Sequence, residues 1–227
     1  MITSQQKLKF QIMNSNKLNI ELKDACHYGD LELVQYLLIS PELEEHADIH
    51  ANNNIALTVS CEKGHLDIVR YLLTSPELKN HADIHAQQDI ALINACFYGH
   101  LDIVKYLLTS PELKEHVDIH ADNNYALIYA CRSEHLDIVR YLLTSPDLKE
   151  HADKDYALKE ACKYYNLEIL QYLIFDYKIE KTKHMKEYLT INNRLDIVNM
   201  FEKRELEEKL QNELNNAPHK IYDKIKL

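Results

Sequence analysis

Histidine pairs four residues apart recur three times in this chain, as His46/His50, His81/His85 and His116/His120, and His151 begins a fourth. On one face of a helix such a pair can share a metal ion. The second histidine of each pair, however, falls in a DIHA-type segment without helical period. The only other ligand type recurring beside the pairs is Asp48, Asp83 or Asp118. A site short of its ligand set does not hold a metal, so no metal is expected. Cysteine is the second suspect. Cys26, Cys61, Cys96, Cys131 and Cys162 each follow a small residue (Ala25, Ser60, Ala95, Ala130, Ala161), which marks a slot for a small buried side chain. An odd cysteine count without CxxC spacing fits reduced thiols and a cytoplasmic setting. A nucleophile and its base form a unique pair in an enzyme, whereas here Cys and His are copied from unit to unit. Three glycines leave no phosphate-cradling loop. Neither catalysis nor a cofactor is expected.

Those copies point to the elements that hold them. The string GHLDIVRYLLTSPELKNHADIHA returns, lightly edited, at a spacing of 35 residues, with Pro41, Pro76, Pro111 and Pro146 keeping the beat. A period of this size signals a stacked array in which each unit buries its apolar face on its neighbours. In the third copy Asp89 reads as an N-cap, and IALINAC places Leu92 and Cys96 on one helical face. Gly99 supplies a left-handed helix end. Leu101, Val104, Leu107 and Leu108 then form an apolar stripe, widened by Ile103, with Asp102 and Lys105 on the solvated side. Ser110, Pro111 and Glu112 read as the start of a fresh helical turn, and residues 117–124 as an extended arm with a turn.

ALINACFYGHLDIVKYLL resembles the core of an ankyrin repeat, with Gly64-His65, Gly99-His100, Ile68-Val69, Ile103-Val104, Ala82-Asp83 and Ala86 matching the family pattern. The resemblance covers about residues 18–201. It implies an all-α ankyrin-repeat solenoid of about six helix-turn-helix units, here with short extended arms in place of longer hairpin fingers. The family's Thr-Pro is replaced by Ile55-Ala56, Ile90-Ala91, Tyr125-Ala126 and Tyr156-Ala157, which leaves Asn54, Asp89, Asn124 and Asp155 as substitute caps. His65, His100 and His135 match the family histidine that bonds neighbouring loop backbone. The short-armed style is similar to arrays of giant amoebal viruses and intracellular bacteria, where host cytoplasm and an effector role would follow.

The reading divides the chain into a capping segment at 1–17, the array at 18–201 and a charged helix and tail at 202–227. Units five and six are degenerate: Tyr165 and Asn166 stand where the glycine and histidine belong, and Leu195-Asp196-Ile197-Val198 is what remains of the sixth. Leu206, Leu210 and Leu214 make a narrow stripe, and Pro218 is expected to start a loose end. No apolar run approaches the length of a membrane span, and no signal-peptide core is expected near Met1. The net charge is −10. Residues 1–175 hold 15 Lys/Arg against 26 Asp/Glu, a poor phosphate binder and an attractive field for a basic protein segment.

Positions that refuse to copy are the candidates for function. They read Asp24, Val59, Asn94, Tyr129 and Glu160 in one slot, His27, Glu62, Phe97, Arg132 and Lys163 in the next, and Tyr28, Lys63, Tyr98, Ser133 and Tyr164 in the third. By resemblance to ankyrin arrays these slots line the concave face. The expected contact set is Tyr28, Glu62, Lys63, Asn94, Phe97, Tyr98, Tyr129 and Arg132, since Tyr, Phe and Arg are enriched at interface centres. A rim of arm tips, Asn52, Asn53, Gln87, Gln88, Asp122 and Asn123, completes it. Tyr36, Tyr71, Tyr106, Tyr141 and Tyr172 are copied and read as packing residues. The expected state is a monomer that binds another protein, with recruitment through the C-terminal helix as the alternative.

Overall fold

Each tight turn of the repeat rests on a clasp between two units. Gly29, Gly64 and Gly99 end their helices with φ of 76°, 80° and 84°. A Cβ at these positions would lie 2.5–2.6 Å from the ring of His65, His100 or His135 of the following unit. The ring's Nε2–H donates to a backbone carbonyl of the preceding unit (His27, Glu62, Phe97; 2.9–3.2 Å). Glycine is therefore required twice, by its dihedral and by the ring above it. Where the glycine slot holds Glu134, at φ 67°, the histidine slot holds Asn166, whose shorter side chain donates to the Cys131 carbonyl at 3.2 Å.

The computed structural model describes residues 2–164, 166–176, 190 and 195–225. Residues 1–169 form one compact unit and residues 170–227 a second. In the first, α1 (Ser4–Gln11) precedes helix pairs α2 (Ser15–Tyr28) and α3 (Leu31–Ile39), α4 (Ala51–Lys63) and α5 (Leu66–Thr74), α6 (Ala86–Tyr98) and α7 (Leu101–Thr109), α8 (Ala121–Arg132) and α9 (Leu136–Thr144), and α10 (Lys154–Tyr164) with α11 (Leu167–Gln171). The inner helices α2, α4, α6, α8 and α10 contact one another far more extensively than the outer helices do. The cause is side-chain size. Ala25-Cys26, Ser60-Cys61, Ala95-Cys96, Ala130-Cys131 and Ala161-Cys162 are all buried on the inner layer, and such small side chains let helices approach closely. The outer layer seals with Val69, Leu72, Val104, Leu107, Val139 and Leu142, none of them exposed. Removing one such leucine costs about 2–5 kcal/mol.

Adjacent outer helices are also tied by the copied tyrosines. Tyr106 and Tyr141 are buried and place their hydroxyls 3.5 and 3.3 Å from Thr74 Oγ1 and Thr109 Oγ1 of the preceding unit. Arg70 and Lys105 reach forward over the Tyr106 and Tyr141 rings, at 5.0 and 5.6 Å. Asp67 and Asp102, three residues before Arg70 and Lys105, accept from the Ile68 and Ile103 N–H groups at 2.9 Å.

Between the pairs the structure departs from two expectations. Ser110-Pro111-Glu112 begins no helix. It forms a single turn, with Leu113 N–H donating to the Ser110 carbonyl and Glu112 N–H to Ser110 Oγ. The arm that follows is extended only briefly and then winds through three consecutive left-handed residues: Asn52–Asn54, Gln87–Asp89 and Asp122–Asn124, with φ between 47° and 65°. Left-handed backbone costs a non-glycine residue about 1–2 kcal/mol, least for Asn and Asp. Asn54 and Asp89 offset that cost by pointing away from their own helices. Their carboxamide or carboxylate oxygens accept the Asp83 and Asp118 N–H groups of the next arm at 2.9 and 2.8 Å, as Asn19 does for Asp48 at 2.7 Å. Asn54, Asp89 and Asn124 also accept from Nδ1 of His50, His85 and His120. Asn54 and Asp89 are thus staples between elements and not the helix caps the sequence suggests, while Asn124, among the described residues, bonds only within its own arm. The fourth copy reads HADKDYAL, where Asp153 accepts the N–H groups of Asp155 and Tyr156.

The second unit contains a π-helical turn at Tyr172–Asp176 and α12 (Leu195–Ile225). Arg204 lies 4.1 Å over the Phe175 ring. The helix α12 runs unbroken across 201/202, where the sequence reading divides array from tail, and through Pro218, where it expects a loose end. Tyr165 and most of the sixth unit lie outside the described residues. No helix among the described residues is long and apolar enough to cross a membrane.

Candidate protein-binding face

At one junction of the inner helices the non-copied residues gather. Phe97 packs edge-on against Tyr98 (centroids 4.8 Å apart, 86° between planes) and against Tyr129 of the next helix (5.3 Å, 87°). Tyr125 meets Tyr129 in the same manner at 5.7 Å. Such edge-to-face contacts hold each ring in place. The four rings line a cleft of about 340 Å³ between α6 and α8, together with Ile90, Ile93, Asn94 and Asp122. Tyr98 and Tyr125 remain 44% and 39% exposed, so the cleft is open to a partner. Lys63 lies 5.8 Å from the Tyr98 ring and is paired with Glu62 at 2.7 Å. Arg132 sits 5.9 Å from the Tyr129 ring and 5.3 Å from that of Tyr164.

Of the expected contact residues, the structure therefore unites Asn94, Phe97, Tyr98, Tyr129 and Asp122 around one cleft, with Lys63, Glu62 and Arg132 beside it. Tyr28 is 79% exposed but packs on His27, in the first pair. Asn52, Asn53, Gln87, Gln88 and Asn123 are exposed at the arms, where Gln87 Nε2 donates to the Asn53 carbonyl at 3.1 Å. Two positions of one candidate slot are filled by core residues: Val59 and Glu160 are each only 5% exposed. Tyr125, which stands in the Thr-Pro slot, is outside the expected contact set. Its departure from the Ile55/Ile90 pattern was the available signal.

The repeated histidines and cysteines take other roles. His46, His81, His116 and His151 donate from Nε2 to the Ser40, Ser75, Ser110 and Ser145 carbonyls at 2.9–3.0 Å. His50, His85 and His120 turn to the left-handed segments already described. The two histidines of a pair thus serve different partners. All five cysteines are free and buried. Burial pushes the Cys26, Cys131 and Cys162 thiols up to about 12, and those of Cys61 and Cys96 higher still. A thiol held protonated in this way is a poor nucleophile.

The sequence model of one family, described as ankyrin repeats (3 copies), matches residues 22–119 and 111–185. No curated protein matches the chain.

Proposed function

The chain belongs to the ankyrin repeat family, and from that premise we propose that it binds another protein on its concave, inner-helix face, centred on the α6/α8 cleft. Ankyrin repeats are in general protein–protein interaction modules. One observation supports this placement above all: the residues that break the repeat, Phe97, Tyr98, Tyr125 and Tyr129, converge on a single open cleft. Recognition of this kind needs little rearrangement. The rings are already braced against one another and the helices beneath them are fixed by the clasps, so little entropy is lost on docking. The acidic surface of residues 1–175 favours a basic partner segment and speeds association at low salt.

The test begins with a partner recovered by affinity capture on the wild-type chain. The Phe97→Ala/Tyr98→Ala/Arg132→Ala variant, with helicity verified by circular dichroism, should lose at least tenfold in affinity for it, as expected when hot-spot residues are truncated. Unchanged affinity would place the interface elsewhere. A second reading rests on α12, whose Leu206 and Leu210 are 58% and 50% exposed one turn apart: this helix recruits a further protein. Deleting residues 203–227 would then abolish one interaction and leave the melting of the array unchanged.

A further inference from the structure

We infer that the α6/α8 cleft is a seat for the guanidinium of an arginine side chain on the partner. This rests on the concave-face reading and gives its centre a chemistry. Four aromatic rings line the cleft, and the one carboxylate among its lining residues is Asp122. Among the described residues the Asp122 side chain makes neither a hydrogen bond nor an ion pair. Aromatic faces with an unpaired carboxylate attract a cation, since the ring quadrupole and the carboxylate act in the same direction. The corresponding positions in the two preceding arms are the neutral Asn52 and Gln87, and Tyr125 answers to Ile55 and Ile90. Acid and rings thus coincide at this junction and not at those two.

The choice of arginine follows from the walls. Most of the lining is aromatic or aliphatic, with Asn94 the other polar side chain. A lysine ammonium is strongly hydrated, and one carboxylate does not offset the loss of that water. A guanidinium is weakly hydrated, stacks flat on rings and offers a forked pair of donors to a carboxylate. The chain already uses the same contact at the edge of the cleft, where Arg132 leans between the Tyr129 and Tyr164 rings. Arg132 is outside the lining, and Lys63 is neutralised by Glu62, so neither occupies the space.

The test uses the full chain and four capped pentapeptides, Gly-Gly-Xaa-Gly-Gly, with Xaa as Arg, Lys, norleucine or Glu, titrated at low salt by NMR. The arginine peptide should saturate with a millimolar Kd, about tenfold tighter than norleucine and tighter than lysine. Asp122→Asn should weaken the arginine peptide about fivefold and leave norleucine unchanged, while Phe97→Leu should weaken arginine with the fold intact. Norleucine binding equal to arginine makes the cleft merely apolar and overturns the inference. So does lysine binding at least as tightly, preference for the glutamate peptide, indifference to Asp122→Asn, or no saturation by any peptide. The two proposals fail separately. Loss of the captured partner in the triple variant without arginine binding retains the face and removes the seat. Arginine binding with an undisturbed partner retains the seat and removes the face.

Discussion

Tyr71 isolates what one inter-repeat hydrogen bond contributes. In the later pairs the copied tyrosine has a threonine of the preceding helix within reach: Tyr106 with Thr74, and Tyr141 with Thr109. Each threonine hydroxyl already donates to the carbonyl four residues back, at 2.8 and 2.9 Å, so the tyrosine must be the donor in the bond between them. The residue preceding Tyr71 in this scheme is Ile39. As a result the Tyr71 hydroxyl is buried without a threonine to donate to and with no acceptor in good hydrogen-bond geometry; burial, and after it the charge and hydrogen-bonding pull of the Glu77 carboxylate, push it up to about 12. A buried hydroxyl left unpaired costs about 1–3 kcal/mol, and a made bond contributes about 1 kcal/mol net. Ile39→Thr should therefore stabilise the array by about 1 kcal/mol relative to Ile39→Val, which matches threonine in shape without the hydroxyl. In a chain of this length that is a rise in Tm of about 2–4 °C. Tyr71→Phe alone should be neutral or stabilising, whereas Tyr106→Phe and Tyr141→Phe should each cost about 1 kcal/mol. Urea unfolding followed by circular dichroism measures all of these, and the Ile39→Thr/Tyr71→Phe cycle should show a coupling near the same value. Equal stability of the threonine and valine variants, or a Tyr71→Phe loss equal to that at Tyr106, would refute the reasoning.

Two more predictions follow from the clasps and the thiols. Gly64→Ala, which combines a left-handed φ with a Cβ 2.6 Å from the His100 ring, should lower stability by about 2 kcal/mol or more. Adding His100→Asn, the combination present at Glu134 and Asn166, should return part of that loss in urea melts; no recovery would show that the dihedral alone sets the cost. The five thiols hold their protons more tightly folded than unfolded, so their contribution is fully present below pH 9 and is lost as pH rises from 9 towards 12. Each loses about 1.4 kcal/mol by pH 10, about 7 kcal/mol together, so the urea midpoint should be flat to about pH 8.5 and then fall steeply. Cys96→Ala should make that fall shallower, and a midpoint unchanged to pH 10.5 would contradict the burial assigned to the cysteines.

Local features were the legible part of this sequence. The apolar stripes of Leu101–Leu108, the helix-ending glycines and the buried tyrosines each depend on spacing within one unit, which periodicity reports directly. Phe97, Tyr98, Tyr129 and Arg132 were legible by subtraction, because a position that does not copy is seldom held by the common core. What escaped was decided between units. Asn54 and Asp89 have the composition of helix caps, yet their partners lie 29 residues ahead in the next arm. Three left-handed residues in a row run against residue preference; in the arms of Asn54 and Asp89 those bonds fix them. Val59 and Glu160 vary and are nevertheless buried, since inner-helix packing accepts more than one side chain in that slot.

Departures from the repeat thus fall into kinds with different physical consequences. At Glu134 and Asn166 two positions change together and the clasp survives, with the asparagine donating to the Cys131 carbonyl, one residue before the slot that the histidines use. At Ile39 one position changes alone, and a buried hydroxyl loses its partner. At Asp122, Tyr125 and Tyr129 several positions change together without serving the packing. The rings brace one another while two of them stay more than a third exposed, and the result is open space lined by aromatic rings and an unpaired carboxylate. Repairing the stack needs neither that space nor that charge. A ligand with a flat, weakly hydrated cation needs both, and for that reason we place the proposed binding chemistry at the junction of α6 and α8 and not at the repeated histidines or cysteines.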